Sequence, residues 1–327
     1  MTERENFLRM FDGEIPEWIP RYYTAQRQVM PGFMMANRTP EGGKDIFGVP
    51  YVATKETGNM ALPVPNEFIL DDITKWRDVI KVPDLEQFDW EEMAKKDLST
   101  FDRNELAVNF GTGAGVFMHL MNFMGFTEGL CAMLEEPEEV KELFEYLGDW
   151  YVKLAKKGLE YYHPDLMGIG DDIAAVDDPF VSMDMYHELV KPIHAAAAKV
   201  GADEGLPITM HCCGRCEDMI DDWLEYGIRF WEPAQITNNM PEIKKKYGDR
   251  LVIGGCWDSQ GPPSWPGASE ELIRSEVRRV IDEYAPGGGF VFVAQILAGA
   301  DDKEMEQRMG WLVDEYNHYG HEFYKKH

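Results

Sequence analysis

The amino-acid sequence predicts an α/β fold, a closed (β/α)8 TIM barrel in a single domain of residues 1–327. Short apolar segments alternate with segments of helical periodicity from about residue 106 onward, and this alternation predicts parallel strands joined by right-handed crossovers. Eight strand candidates can be counted, which is the number that closes such a barrel. No stretch between residues 100 and 327 has the composition of a linker. An open doubly wound sheet is the alternative arrangement of the same elements.

The first hundred residues are expected to form an irregular N-terminal part of the same domain. Proline and glycine recur there too often for long helices, as in the adjacent Pro31 and Gly32. Two strand candidates remain in this part, an extended segment over residues 18–23 and a strand over residues 51–53.

The later strands and helices alternate regularly. The six later strand candidates are short apolar runs over residues 106–110, 166–170, 207–210, 228–232, 251–256 and 290–294. Apolar residues at three- and four-residue spacing predict helices between and after them. These helices cover residues 140–154, 183–200, 218–226, a short basic segment before residue 251, 270–284 and 301–319.

The chain is strongly acidic, because 32 Lys and Arg residues stand against 59 Asp and Glu residues and the formal charge is −27. Nucleic-acid-binding proteins need a basic surface, so this charge argues against DNA or RNA as partners, and equally against an anionic membrane. No apolar run approaches the ~20 residues of a membrane span, and the N-terminus lacks a signal peptide's apolar core. We therefore expect a cytoplasmic protein.

Candidate chemical groups follow the predicted strands at their carboxyl ends, where barrels of this kind carry their active sites. They are Asp171, Asp172, His211, Cys213, Glu232, Cys256, Asp258 and Gln295. The strand starts carry nothing comparable, so these residues are predicted to meet at one face of the barrel.

His211 and Cys213 form the sharpest motif. Imidazole and thiolate are zinc ligands, and residues at i and i+2 of a strand end point to the same side. Gly214 lets the chain turn away directly afterwards. Cys256 and Glu232 end neighbouring strands and are predicted to complete the metal site. The alternative is that the cysteines are small buried hydrophobes and that His211 is a hydrogen-bonded core residue.

The remaining cysteines of this region are interpreted differently. Strand alternation directs Cys212 away from the site and into the core. Cys216 reaches the site only if the following loop folds back, and with Cys213 it forms the Cys-x-x-Cys spacing of a redox pair or half a zinc site. Five cysteines, an odd number, three of them within five residues, are not a disulfide framework.

Further residues are candidates for catalysis or substrate binding. At least one of the adjacent carboxylates Asp171 and Asp172 should face a polar ligand or cation, unless the pair caps a helix or is solvated. Arg27 either holds a substrate carboxylate or pairs with an acid. A segment rich in Met and Phe suits a flat apolar ligand, or alternatively the core. The substrate-binding candidates are Arg27, Met118, His119, Met121, Phe123 and Gln295.

Several segments together carry a family resemblance. They are residues 4–16 (RENFLRMFDGEIP), 45–49 (DIFGV), 170–172 (GDD), 190–193 (VKPI) and 211–214 (HCCG). With them the chain resembles the uroporphyrinogen decarboxylase superfamily throughout its length, and within it the corrinoid-dependent methyltransferase branch. The resemblance implies a zinc-containing TIM barrel that moves methyl groups between a small substrate or thiol and a corrinoid (cobalamin) protein.

The chain departs from that branch at one ligand. The branch signature is His-x-Cys followed much later by another cysteine, and His211 and Cys213 match its first part. The late cysteine, which the resemblance places around residues 296–299, is missing, so Cys256 is taken as its substitute. Glu232 lies where the distantly related cobalamin-independent methionine synthases place a zinc-binding glutamate.

The resemblance therefore predicts a zinc-assisted methyltransferase that demethylates a small donor, such as a methoxylated aromatic (O-demethylation), onto a transiently bound corrinoid protein. Asp171 or Asp172 would orient the substrate or act as general acid. A decarboxylase of a small carboxylic acid is one alternative, although only Arg27 remains of that branch's Arg-x-x-Gly-Arg stretch. A non-catalytic corrinoid- or ligand-binding homologue is another, and a homodimer is left open.

Overall fold

The computed structural model describes residues 1–35, 39, 42–55, 57–296 and 301–326. The strands of this part of the chain are β1 (Gln26–Val29), β2 (Gly43–Lys44), β3 (Pro50–Ala53), β4 (Ala61–Pro63), β5 (Ala107–Gly111), β6 (Leu166–Gly170), β7 (Ile208–His211), β8 (Ile228–Ala234), β9 (Val252–Cys256) and β10 (Phe290–Val293). Seven of them form a curled parallel sheet in the order β1-β5-β6-β7-β8-β9-β10. The architecture is α/β and TIM-barrel-like, which confirms the predicted fold class.

The helices of the described residues lie around this sheet and, in the case of α1, at the amino-terminal end of the barrel. They are α1 (Glu3–Leu8), α2 (Tyr22–Ala25), α3 (Trp76–Val79), α4 (Trp90–Leu98), α5 (Val116–Met124), α6 (Phe126–Glu135), α7 (Pro137–Tyr162), α8 (Met183–Met185), α9 (Lys191–Ala202), α10 (Ile220–Glu225), α11 (Met240–Tyr247), α12 (Glu270–Tyr284), α13 (Met305–Glu315) and α14 (Phe323–Lys326). A π-helical turn over Tyr186–Val190 joins α8 to α9, so the helix predicted at 183–200 is present. Among the described residues, no helix combines the length and apolar composition that crossing a bilayer requires.

The two edges of the curled sheet meet through the segment that precedes β1. The Phe292 backbone N–H on β10 donates to the Pro20 carbonyl over 2.8 Å, and Arg21 forms a parallel bridge with Phe292. The extended segment predicted at 18–23 therefore contributes only this contact. The helical turn α2 interrupts it, and the strand that pairs with β5 begins at Gln26.

The strand predicted over residues 51–53 exists but lies outside the barrel, and the parallel sheet of the described residues has seven strands where eight were expected. It is part of β3, which pairs antiparallel with β2 and β4 in a separate sheet. The connections on both sides of β3 are short. A parallel pair needs a crossover of roughly a dozen residues or more, so short connections leave only antiparallel pairing.

An inner core fills the amino-terminal end of the barrel. Helix α1 inserts Phe7 there, and its ring packs edge-on against Phe230 with the centroids 5.9 Å apart. The apolar residues of this core are Phe7, Met10, Ala25, Ala107, Leu166, Phe230, Val252, Val291 and Val293. The irregular N-terminal part thus fills the amino-terminal end of the barrel with Phe7. It also provides the Pro20–Phe292 contact that joins the two edges of the sheet.

Above this core the barrel interior becomes polar and then opens. The Asn109 side-chain amide donates to Gln26 Oε1 over 2.9 Å and to Thr209 Oγ1 over 3.3 Å. One layer higher, β5 and β6 place Gly111 and Gly170, where an added Cβ would lie within about 3.2 Å of neighbouring side chains. These two glycines leave the space that becomes the mouth cavity.

Candidate active site

Strand β7 delivers its last residues to the mouth of the barrel. His211 is half-exposed there, and its Nδ1 lies 3.0 Å from Glu232 Oε1 at the end of β8. Cys213 follows on the same side. Cys212 points the other way, and its buried Sγ lies 3.4 Å from that of the equally buried Cys216. The alternation expected for His211, Cys212 and Cys213 is therefore what the structure shows.

Three donor groups meet at this point. Asp172, His211 and Cys213 each offer one metal-ligating atom, and these atoms all lie within 4.8 Å of one another. Asp172 Oδ1 is 3.9 Å from His211 Nε2 and accepts a 2.8 Å hydrogen bond from the Cys213 backbone N–H. Gly214, at φ +90°, turns the chain where a Cβ would overlap the Ala174 carbonyl.

The donor set fits zinc. A nitrogen, a sulfur and an oxygen ligand with a further position left open are typical of catalytic zinc sites. Glu232 engages Nδ1 of His211, which leaves Nε2 for a metal, and a carboxylate behind a ligating histidine is the usual support of such sites. Burial lowers the pKa of His211, but contacts with Cys213 and Glu232 outweigh it and hold that pKa well above 6.5.

Glu232 therefore lies behind His211 and not within the group of three. It is mostly buried, and besides His211 it accepts a 3.1 Å hydrogen bond from the Tyr22 hydroxyl. Asp172, which the sequence suggested as an acid, is the third member of this group.

Cys256 does not join this group. Its thiol is buried, and burial raises its pKa; its charged neighbours are Glu283, Lys244 and Arg279, which lie on α12 and α11. The residue has φ +62°, and Gly255 before it also has a positive φ, so the strand loses its regular alternation at its last two residues. Cys256 nevertheless lines the same cavity as His211, Cys213 and Glu232, and its role as third ligand stays a prediction.

Asp171 is fully buried and has a structural role. Its Oδ2 and Oδ1 accept 2.9 Å hydrogen bonds from the backbone N–H groups of Phe117 and Met118, in the first turn of α5. His194 Nε2 lies 3.1 Å from Oδ2. Both oxygens are engaged by the helix N-terminus, and Asp171 also lines the cavity that contains His211, so its role as a catalytic acid stays a prediction.

Adjoining cavities surround the group of three. One, of about 250 Å³, reaches from His211 and Asp172 to Gln28 and Met118. A second, of about 300 Å³, lies on the other side of His211. Its lining includes Tyr22, Tyr23, Gln28, Glu232, Trp257 and Gln295. A third, of about 320 Å³, adjoins Cys213 and includes Asp258.

Comparison with known proteins places the chain in a family. A family model for uroporphyrinogen decarboxylase (URO-D) matches residues 91–295. The chain belongs to the URO-D family. A methyltransferase from Methanosarcina mazei has a similar structure, with a TM-score of 0.67 and 12% sequence identity, over 97% of this chain and 99% of that one. At this identity the likeness establishes the fold. No curated protein matches the chain.

Three substrate-binding candidates of this URO-D family member, Arg27, Met121 and Phe123, lie away from the cavities. The Arg27 guanidinium lies 5.8 Å from the centre of the Phe101 ring, whereas the next residue, Gln28, lines the mouth. Arg27 points outward because β1 begins at Gln26, so the alternation of the strand exposes residue 27 on the outer side. Met121 and Phe123 are buried in the core.

Met118, His119 and Gln295 do line cavities, as expected. Gln28, Tyr22 and Tyr23 were missed by sequence reasoning, because the first strand was expected a few residues earlier and the inward positions could not be assigned. Of residues 296–299, where the family resemblance places a late cysteine, positions 297–299 lie outside the described residues.

Proposed function

We propose that this protein is a methyltransferase that moves a methyl group from a small methylated donor to a corrinoid protein, with zinc held by Asp172, His211 and Cys213. One observation carries the proposal. A nitrogen, a sulfur and an oxygen donor converge at the carboxyl ends of the strands, beside cavities large enough for a small organic molecule. The URO-D family and the methyltransferase with a similar fold are consistent with this reaction class.

Demethylation of a methyl ether needs a Lewis acid on the leaving oxygen and a fixed set of groups around it, and these residues would provide both. A methyl ether has a poor leaving group, and bound zinc would supply the Lewis acid that its oxygen needs. Glu232 fixes the His211 ring through Nδ1, and the Asp172 carboxylate and Cys213 backbone hold each other in place. Asp171 sets the position of the whole strand end by anchoring α5. The barrel mouth leaves the methyl group accessible to a nucleophile carried by a partner protein.

The charge of the mouth argues against the decarboxylase alternative. No Lys or Arg is among the described residues that line these cavities, whereas Asp172, Glu232 and Asp258 are. A polycarboxylate substrate would meet like charges with no cation to offset them. The net charge of −27 equally disfavours nucleic acid as a partner.

The experiment is metal analysis of protein purified without added metal, together with methyl transfer to a reduced corrinoid protein. We expect about one zinc per chain, as in a catalytic zinc site. Cys213→Ser should weaken zinc binding by more than about 100-fold and abolish transfer, because the soft thiolate ligand is lost. Cys212→Ser is the matched control, since that thiol faces the core. Equal zinc loss in the two variants, or full zinc and activity in Cys213→Ser, would contradict the proposal.

A further inference from the structure

The loop that carries Cys213 is held by side chains and not by the sheet. Strand β7 ends two residues before Cys213, which lies in the loop over residues 212–217 (the β7 loop). The Cys213 backbone N–H donates to Asp172 Oδ1 over 2.8 Å, and the Gly214 N–H donates to Gln235 Oε1 over 2.6 Å. The direction of the Cys213 thiol therefore depends on hydrogen bonds from other loops.

Asn238 holds the next part of the β7 loop. It lies in the loop over residues 235–239 (the β8 loop), and its side chain is buried. Its Oδ1 accepts from the backbone N–H groups of Cys216 and Glu217 over 2.7 and 3.0 Å. Its Nδ2 donates to the Gly214 carbonyl over 2.9 Å, besides a carbonyl of its own loop. One buried side chain thus joins the two loops through both of its polar atoms.

The contact requires an amide at position 238. Two N–H groups of the β7 loop face one end of the Asn238 side chain, and carbonyl groups face the other end. An aspartate has no donor for the carbonyls, and a leucine has neither a donor nor an acceptor. Because the site is buried, an unpaired group there would cost free energy or open the loop. The amide therefore favours one conformation of Gly214 and, through the peptide bond, of its neighbour Cys213.

We propose that Gln235 and Asn238 are positioning residues for the Cys213 thiol, and that their hydrogen bonds to the β7 loop (the loop clamp) hold it in the conformation that a metal ion needs. Gln235 binds the Gly214 N–H and Asn238 binds the Gly214 carbonyl, so both peptide groups of Gly214 are held from the β8 loop. Groups of a functional site must be held within about 0.5 Å, and a thiol beyond the end of a strand has no such support from the sheet. The role in metal binding rests on the proposed function, whereas the loop clamp itself does not.

The first test is the zinc affinity of Asn238→Asp, measured by competition with a chromophoric chelator. The affinity should fall by about tenfold or more, because the variant keeps the size of the side chain but places an acceptor against the Gly214 carbonyl. An added negative charge would by itself strengthen cation binding, so a fall reports the lost geometry. Asn239→Asp is the matched control. It makes the same change at the next residue, whose side chain is exposed, and should bind zinc at least as tightly as the wild type.

The second test needs no metal. Alkylation of the metal-free protein by iodoacetamide, followed by mass spectrometry, measures how often the β7 loop opens at its buried Cys216. The rate in Asn238→Asp should exceed that in the wild type and in Asn239→Asp by about tenfold or more, because the opening of this loop then costs less free energy. The rate at Cys256, which is buried at the end of β9, is the internal reference and should not change.

If Asn238→Asp does not fold, Gln235→Leu, which removes the acceptor of the Gly214 N–H, takes its place in both tests. Unchanged alkylation at Cys216, or a parallel rise at Cys256 that reports general loosening, would overturn the inference. A zinc affinity that stays at the wild-type value while the loop opens would overturn it as well. Wild-type protein that binds no zinc would count against the proposed function, and the alkylation rates would still support or refute the loop clamp.

Discussion

At the scale of single residues, Glu232 fixes the orientation of His211, the imidazole of the proposed metal site. The carboxylate accepts from Tyr22 and engages Nδ1 of the imidazole, so one ring orientation and one tautomer are favoured. Such supporting groups typically change metal affinity by about 10–100-fold when they are removed. The sequence placed Glu232 among the predicted ligands, because residue type at a strand end does not reveal which of two carboxylates lies within the group of three.

Glu232→Gln should lower zinc affinity by about tenfold without changing the ligands, because it removes the charge behind His211 and keeps an acceptor oxygen. Competition with a chromophoric chelator measures the affinity, and the thiolate-to-cobalt absorption of the cobalt-substituted protein reports the ligands. Tyr22→Phe is the control, since it removes the other hydrogen bond to the same carboxylate and should have a smaller effect. A change in coordination in Glu232→Gln would mean that the carboxylate is a direct ligand.

Helix α5 shows at the scale of elements why two adjacent aspartates have different roles. Asp171 directly follows β6, and its buried carboxylate is bound by two backbone N–H groups and the positive end of the helix dipole at the start of α5. Asp172 comes one residue later and emerges at the mouth beside His211. The adjacent carboxylates thus avoid mutual repulsion because one is bound by a helix N-terminus and the other is half-exposed.

Asp171→Ala should lower the free energy of unfolding by about 3 kcal/mol, because two buried N–H groups and His194 lose their acceptor. Asp172→Ala should cost no more than about 1 kcal/mol, since that side chain is half-exposed, yet it should lose most of the zinc affinity. Urea unfolding and metal titration of the two variants provide the measurements. The reverse pattern, with stability lost at Asp172 and zinc at Asp171, would contradict the assignment.

At the scale of the whole molecule, the N-terminal part completes a barrel that the later strands leave unfinished. The Pro20–Phe292 contact joins the sheet edges, and Phe7 fills the amino-terminal end opposite the mouth. The N-terminal segment, which is rich in proline and glycine, therefore packs together with the regular strands and helices that follow it, because the barrel core is incomplete without it.

Phe7→Ala should lower the free energy of unfolding by about 3–5 kcal/mol, because it leaves a cavity in the inner core. Ile15→Ala is the control, since that side chain is exposed and should change stability by about 0.5 kcal/mol or less. Guanidinium unfolding measures both. Equal stabilities would show that the N-terminal segment does not plug the barrel.

The sequence by itself determined the alternation of strands and helices, the common face of the strand-end residues, and the pairing of His211 with Cys213. Each of these follows from local periodicity, because it depends only on residues that are close together in the sequence. Only the tertiary structure decided the number of strands in the parallel sheet of the described residues, the grouping of Asp172 with His211 and Cys213, and the outward direction of Arg27. Those outcomes depend on where a strand begins and where its alternation breaks, and a shift of one residue reverses which side chains face the cavity.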